Sequence, residues 1–167
     1  NHPELFMRIG MNTGPAVVGN MGSRNRMDYT MMGDTVNTAA RLEGINKIYG
    51  TFTIISEDTR SGIDESIAVR ELDLVKVVGR TEPLRMYEVL DFFAEIDDKM
   101  HETIKLYQNG LKAYRQRQWD LAIDYFGKAL TLTPDDRPSL VMQQRSQAYQ
   151  YSPPAEDWAG AHFATQK

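Results

Sequence analysis

Residues 27–41, Met27-Asp28-Tyr29-Thr30-Met31-Met32-Gly33-Asp34-Thr35-Val36-Asn37-Thr38-Ala39-Ala40-Arg41, constrain the fold more than any other stretch. An alternating run over residues 27–32 predicts a strand, and Gly33 breaks it. Asp34 or Thr35 then offers a side-chain oxygen to the free N–H groups of a helix that runs through Arg41. Asn37 and Arg41 lie four residues apart in that helix, so they project from one face about 40° apart. A strand carrying the Thr30 hydroxyl, a turn, and a helix presenting an amide and a guanidinium can together grip a phosphorylated ligand.

The flanking sequence gives this unit a sheet to sit on. Residues 5–11 and 16–20 read as strands around a Thr13-Gly14-Pro15 turn, and residues 16–32 form a β-hairpin with the polar tip Ser23-Arg24-Asn25-Arg26. The helix from Thr35 extends to about Tyr49, where Gly50 supplies a C-terminal stop. Residues 52–55 are a short strand, and Ser56-Glu57-Asp58 opens a brief helix broken by Gly62. Residues 67–78 and 84–90 are two further strands, joined through Gly79-Arg80-Thr81-Glu82-Pro83. Mixed strands and helices with hairpins predict an α+β sheet domain over residues 1–91.

The character changes over residues 92–151. No proline interrupts residues 96–132, and Ile104, Leu111, Tyr114, Leu121, Ala122, Tyr125, Phe126, Ala129 and Leu130 recur at helical spacing. Gln116-Arg117-Gln118 marks a turn between two antiparallel helices, Pro134-Asp135-Asp136 ends the second, and residues 137–149 resume helical patterning. Gly110, Ala122, Phe126, Ala129 and Pro134 stand at the spacings of a tetratricopeptide repeat, a helix–turn–helix unit of about 34 residues, although the tryptophan and tyrosine of its first helix are missing. One such repeat cannot bury its apolar face alone. The helices must therefore lean on the sheet domain, on a second chain or on an incomplete next repeat. Residues 152–167 read as an irregular tail whose Trp158 docks on an apolar surface.

Composition narrows the chemistry. The net charge of −4 supplies no bulk attraction to nucleic acid or to an anionic membrane, and no nucleic-acid partner is expected. The absence of cysteine removes disulfide scaffolds, thiolate metal sites and cysteine nucleophiles. His2, His101 and His162 are too scattered to suggest a metal site. No run reaches the ~20 apolar residues of a membrane span, and Asn1-His2-Pro3-Glu4 lacks the features of a signal peptide. The chain reads as a cytoplasmic piece of something longer, whose upstream region could include a membrane anchor.

Several of these segments, taken in order, resemble the second half of a class III nucleotidyl cyclase catalytic domain. They are Arg8-Ile9-Gly10-Met11-Asn12-Thr13-Gly14, Val18-Gly19-Asn20-Met21-Gly22-Ser23, Asp28-Tyr29-Thr30, Gly33-Asp34-Thr35-Val36-Asn37 and Ala40-Arg41-Leu42-Glu43. Leu72-Asp73-Leu74-Val75 and Glu82-Pro83-Leu84-Arg85-Met86-Tyr87-Glu88-Val89 look like that family's closing strands. The resemblance covers roughly residues 5–91, and an ordered series of this kind is far more specific than a lone glycine motif. It implies an α+β fold: the C-terminal half of a ferredoxin-like domain with a mixed, partly antiparallel sheet, here followed by the helical, tetratricopeptide-like hairpin.

The resemblance also implies a reaction. In this family the ribose 3′-hydroxyl of a nucleoside triphosphate attacks the α-phosphorus and pyrophosphate leaves, an in-line transfer in which positioning and charge stabilisation do most of the catalysis. Two divalent ions, Mg²⁺ or Mn²⁺, are held by two aspartates, and active sites form between two domains. By position, Arg41 would face the α-phosphate in the transition state, Asn37 would orient the ribose, and Thr30 would lie at the purine edge. A threonine there resembles the adenine-specific members, which points to ATP as substrate and to an adenylate cyclase making cyclic AMP. Taken singly, each residue has an ordinary structural reading: Arg41 pairing with Glu43, Asn37 as a local hydrogen-bonder, Thr30 as a strand residue. Asp34 is better explained as a helix cap than as a metal ligand.

Two departures qualify the resemblance. The family's metal aspartates and an adenine-selecting lysine lie in the first half of the domain, which this sequence does not contain. No metal ligand is therefore assigned here, and the chain alone is expected to be inactive. Where many members carry a lysine before the glycine of the closing turn, this chain has Val78 and then Gly79-Arg80, so Arg80 is the candidate contact to the terminal phosphates. Half a sheet would also expose edges and apolar surface, so a homodimer through the cyclase-like part is expected. A protein partner is expected on the helical extension. The competing reading is a noncatalytic module whose cyclase-like part only dimerises and whose helices bind a partner. A guanylyl cyclase is the third.

Overall fold

The structure is a computed structural model, and it describes residues 5–23, 26–76 and 82–163. Five strands form one mixed sheet in the order β1 (Ile9–Met11), β4 (Thr53–Ser56), β6 (Leu84–Phe92), β5 (Ile67–Lys76) and β7 (His162–Phe163). β1 runs parallel to β4 and β7 parallel to β5, while β6 is antiparallel to both β4 and β5. β2 (Val17–Ser23) and β3 (Arg26–Met32) pair antiparallel as a separate ribbon, with Gly19 opposite Thr30. α1 (Asp34–Tyr49) lies over β1 and β4, and α2 (Glu57–Arg60) is a single turn capped by Ser56. α3 (Asp98–Arg115), α4 (Trp119–Leu132) and α5 (Arg137–Tyr151) come after a 3₁₀ turn at Phe93–Glu95. The α+β architecture with a mixed sheet is as the sequence predicts.

One core joins the sheet to the helices. Leu42, Ile45 and Tyr49 of α1, Ile54 of β4, Leu72 and Val75 of β5, and Met86 of β6 are buried together with Tyr107, Leu111, Phe126 and Met142 of α3–α5. Of the supports open to the helices, both the sheet and α5, which follows α4 as the start of an incomplete next repeat, are used here. Tyr107, fully buried, donates its hydroxyl to the Leu72 carbonyl at 2.8 Å. Between α3 and α4 the contact is close because Gly110 has no side chain: a Cβ there would stand 2.8 Å from the Phe126 ring. Ala122 and Ala129, also fully buried, keep the rest of that seam narrow.

β5 owes its role to an irregularity. Its pairing with β6 shifts between Glu71 and Asp73, a β-bulge. Strand side chains alternate faces, so the extra residue places Arg70, Leu72, Asp73 and Val75 all on the buried side. Two of these four carry charge, and both are matched by the helices. Arg70 donates to Glu88 and, through Nη1, to both oxygens of Asp136 at 2.8 and 2.9 Å. Asp73 pairs with Arg145 of α5. A third, more exposed cluster joins Glu71 to Arg85 and Arg115.

Four details differ from the sequence reading. The first strand is confined to Ile9–Met11, because only that stretch finds a partner, Thr53–Ile55 of β4; Leu5, Phe6 and Met7 stay exposed. β2 continues through Gly19 to Ser23, since β3 pairs along its whole length. No side chain caps α1. Its N-cap is Gly33 at φ 139°, and Thr35 Oγ1 donates instead to the Pro15 carbonyl at 2.7 Å. Within the segment read as an irregular tail, β7 pairs with the edge of β5 at Val75 and Lys76. Trp158 docks as expected, in a box of aromatic rings with Tyr114, Trp119 and Tyr149.

Candidate active site

The candidate residues sit where the ribbon meets α1. β3 delivers Thr30 on an exposed strand, Gly33 turns the chain in a backbone region that favours glycine, and α1 begins at Asp34. The loop before β2 fastens this turn. Asn12 Nδ2 donates to the Thr35 carbonyl at 3.1 Å, and Gly14 leaves room for the Thr35 side chain. β1 fixes the helix from beneath: a Cβ on Gly10 would collide with the Ala39 carbonyl oxygen and the Glu43 nitrogen. Asn46 completes the seat by donating to the carbonyls of Ile9, Leu42 and Glu43 while accepting from Thr51.

On the helix so held, Asn37 is exposed and Arg41 half-buried, both on the face that four-residue spacing dictates. Arg41 meets Asp34, not Glu43: Nη1 lies 3.8 Å from Asp34 Oδ1, beyond hydrogen-bond range. That Nη1 is sequestered from solvent and has no hydrogen-bond partner among the described residues. A guanidinium donor that is desolvated and unmatched suits an incoming anionic oxygen. Thr30, Asn37 and Arg41 thus belong to one continuous strand–turn–helix. Arg80, with Val78 and Gly79, lies outside the described residues.

The surroundings are apolar and open. Ile9, Met11, Val17, Val18, Met27, Tyr29, Met31 and Met32 are all exposed on β1 and the ribbon. An isolated two-stranded ribbon is marginal in water without a covering surface. Among the described residues, no group of three histidine, aspartate or glutamate side chains could hold a metal ion, and Asp34 stands beside a cation. These residues do not fit a divalent ion. No helix among them is long and apolar enough to cross a membrane.

The sequence reading missed the buried polar clusters of Arg70 and Arg145. The available signal was a charge inside a strand: Arg70 and Asp73 interrupt the apolar positions of β5.

Comparison with known proteins bears on the same region. The family model described as "Adenylate and Guanylate cyclase catalytic domain" matches residues 1–91. The "Adenylate cyclase, terminal-differentiation specific" of Dictyostelium discoideum is 36% identical over 143 residues, covering 82% of this chain and 7% of that protein. "Adenylate cyclase 1" of Rhizobium meliloti is 46% identical over 88 residues, 53% of this chain and 13% of that protein. Among solved structures, the adenylyl cyclase CyaB from P. aeruginosa is 36% identical, with a TM-score of 0.46, covering 54% of this chain and 45% of that one. The chain thus spans between 7% and 18% of the length of the first curated relatives it matches.

Proposed function

The chain belongs to the adenylate and guanylate cyclase catalytic-domain family, and from that premise we propose that it supplies one wall of an adenylate cyclase active site. In this reading the whole protein converts ATP to cyclic AMP and pyrophosphate. Arg41 stabilises the charge that builds on the α-phosphate, Asn37 orients the ribose, and Thr30 reads the purine edge by donating or accepting through its hydroxyl. Arg80 contacts the terminal phosphates. The observation that carries the reading is Arg41 itself, an always-charged fork whose desolvated Nη1 has no hydrogen-bond partner among the described residues, on a helix seated by Gly10 and Asn46.

The remaining parts come from elsewhere in this proposal. The reaction uses Mg²⁺ or Mn²⁺ to neutralise the phosphates when bound, and the carboxylates that hold it belong to sequence outside this chain. A second copy, covering the apolar ribbon, completes a shared site, and the helices remain free to take a protein partner. The division at residues 91 and 151 separates cyclase part, helical extension and tail.

Substituting Arg41→Ala in the full-length protein tests the reading. Turnover is expected to fall by about 10²–10³-fold with folding intact; unchanged turnover removes the role. The purified chain with ATP and Mg²⁺ or Mn²⁺ is expected to make no cyclic AMP, and robust formation would overturn the assignment of the metal-holding carboxylates to sequence outside it. Light scattering at micromolar concentration is expected to find a dimer; a monodisperse monomer counts against it.

A further inference from the structure

The catalytic roles of Asn37 and Arg41 use only the first half of α1, yet the helical extension grips the other end. Tyr49 closes α1 and is 1% exposed. Its hydroxyl donates to Asp73 Oδ2 at 2.6 Å and accepts from Arg145 Nη2 at 3.1 Å. Arg145 Nη1 pairs with the same Asp73 oxygen, and its guanidinium carbon lies 5.8 Å from the centre of the Tyr49 ring. Asp73 Oδ1 accepts from the Leu74 nitrogen at 2.7 Å, so the fully buried carboxylate is matched on both oxygens. Burial, with Asp73 adding to it, pushes the Tyr49 hydroxyl well above its ordinary 10.0, which keeps it a neutral donor. One residue on, Gly50 ends the helix at φ 68° so tightly that a Cβ would meet the Arg137 side chain at 2.8 Å. α5 therefore touches the end of α1 at two points, and the bulge in β5 supplies the buried charge between them.

This arrangement holds the C-terminal end of α1, as Gly10 and Asn46 seat its middle. Tyr49 stands eight residues beyond Arg41 and twelve beyond Asn37 on one unbroken helix, so a rotation at its end reaches both. About 10° of rotation moves a side-chain tip ~6 Å from the axis by roughly 1 Å. A misplacement of that size can cost about 10²-fold in rate. We propose that Tyr49 and Arg145 are positioning residues of the cyclase reaction, fixing through Asp73 the rotation of α1 and with it Asn37 and Arg41. The proposal rests on the catalytic roles given to those last two residues. It makes the helical extension a working part of the catalytic wall.

A double-mutant cycle in the full-length protein tests it. Tyr49→Phe removes only the hydroxyl and leaves the ring in the core; Arg41→Lys keeps the charge and loses the fork. Expected are a fall in kcat of about tenfold for Tyr49→Phe with KM for ATP within about twofold, and about 10²-fold for Arg41→Lys. The double variant should lose at least about threefold less than the product of the two, because a misplaced fork has less to lose. Loss of folded protein would instead multiply. A multiplicative result, or an unchanged kcat in Tyr49→Phe beside a normal Arg41→Lys effect, overturns the positioning role alone. An Arg41→Lys variant with unchanged turnover overturns the reading of Arg41 and this proposal with it. If Tyr49→Phe does not fold, Arg145→Lys takes its place in the cycle. Amide exchange gives a readout independent of turnover. Residues 34–41 should exchange about tenfold faster in Tyr49→Phe while residues 98–115 keep their protection; equal protection of residues 34–41 overturns the proposal.

Discussion

Arg41 and Arg70 hold the same charge in opposite ways. Arg70, with a side chain only 2% exposed, has its guanidinium bonded to Glu88 and Asp136 and stacked 4.9 Å from the centre of the Tyr107 ring. Arg41, 35% exposed, has among the described residues a carboxylate at 3.8 Å and no hydrogen-bond partner for Nη1. The first joins β5 and β6 to the start of α5, so its guanidinium is answered inside the protein. The second is seated firmly by its helix yet left incomplete at its tip. A buried guanidinium stripped of partners is costly, whereas a half-buried one keeps part of its hydration. The contrast is between these two guanidinium groups, one closed by two carboxylates within the core and one at the open, ribbon side of α1.

The largest expected effect tests the closed group. Arg70→Ala leaves Glu88 and Asp136 buried without their cation and should cost about 3–5 kcal/mol, read as a shift in the urea midpoint. A loss under about 1 kcal/mol would mean that the cluster is not closed. Arg41→Ala should do the reverse, leaving stability within about 0.5 kcal/mol while turnover collapses. A destabilisation matching that of Arg70→Ala would erase the contrast. Next comes Gly10→Ala, whose methyl must displace the α1 backbone at Ala39 and Glu43; about 1–3 kcal/mol is expected from the same urea titration.

The smallest effect concerns the tail. Burial, aided by nearby Arg145, holds the His162 imidazole below its ordinary 6.5, while Asp73 opposes this. The undocked tail therefore binds the proton more readily than the docked one. Docking is fully stable above pH 6.5 and weakens as the pH falls through that ordinary value toward the lower, docked-state one. Trp158 fluorescence, recorded from about pH 7.5 downward, should report the loosening, and His162→Gln should flatten the profile. A profile unchanged by that substitution would assign the transition to another group.

Much of this contrast was hidden in the sequence, for a reason that differs by residue. The helix over 34–49 and its stop at Gly50 were legible because periodicity and a left-handed glycine are local signals. So was the Gly110–Phe126 seam, sixteen residues apart at a recognisable spacing. The carboxylate beside Arg41 is Asp34 rather than Glu43, the ordinary alternative, because Asp34, two turns earlier, reaches the same side of the helix. The cap was misread because Thr35 found the Pro15 carbonyl, a contact 20 residues distant. Arg70 with Asp136 and Asp73 with Arg145 are 66 and 72 residues apart, and nothing local forecasts such pairs.

By itself, then, the sequence determined the family, the strand–turn–helix that carries Thr30, Asn37 and Arg41, and the helical character of residues 98–151. These depend on side-chain type and short spacing, which are properties of neighbouring residues. The tertiary structure alone decided that a bulge in β5 turns Asp73 inward, that Arg145 and Tyr49 converge on it, and that β7 closes the edge of β5. Those outcomes arise from burying charge in one shared core, where each ion must find its counterpart wherever along the chain that lies.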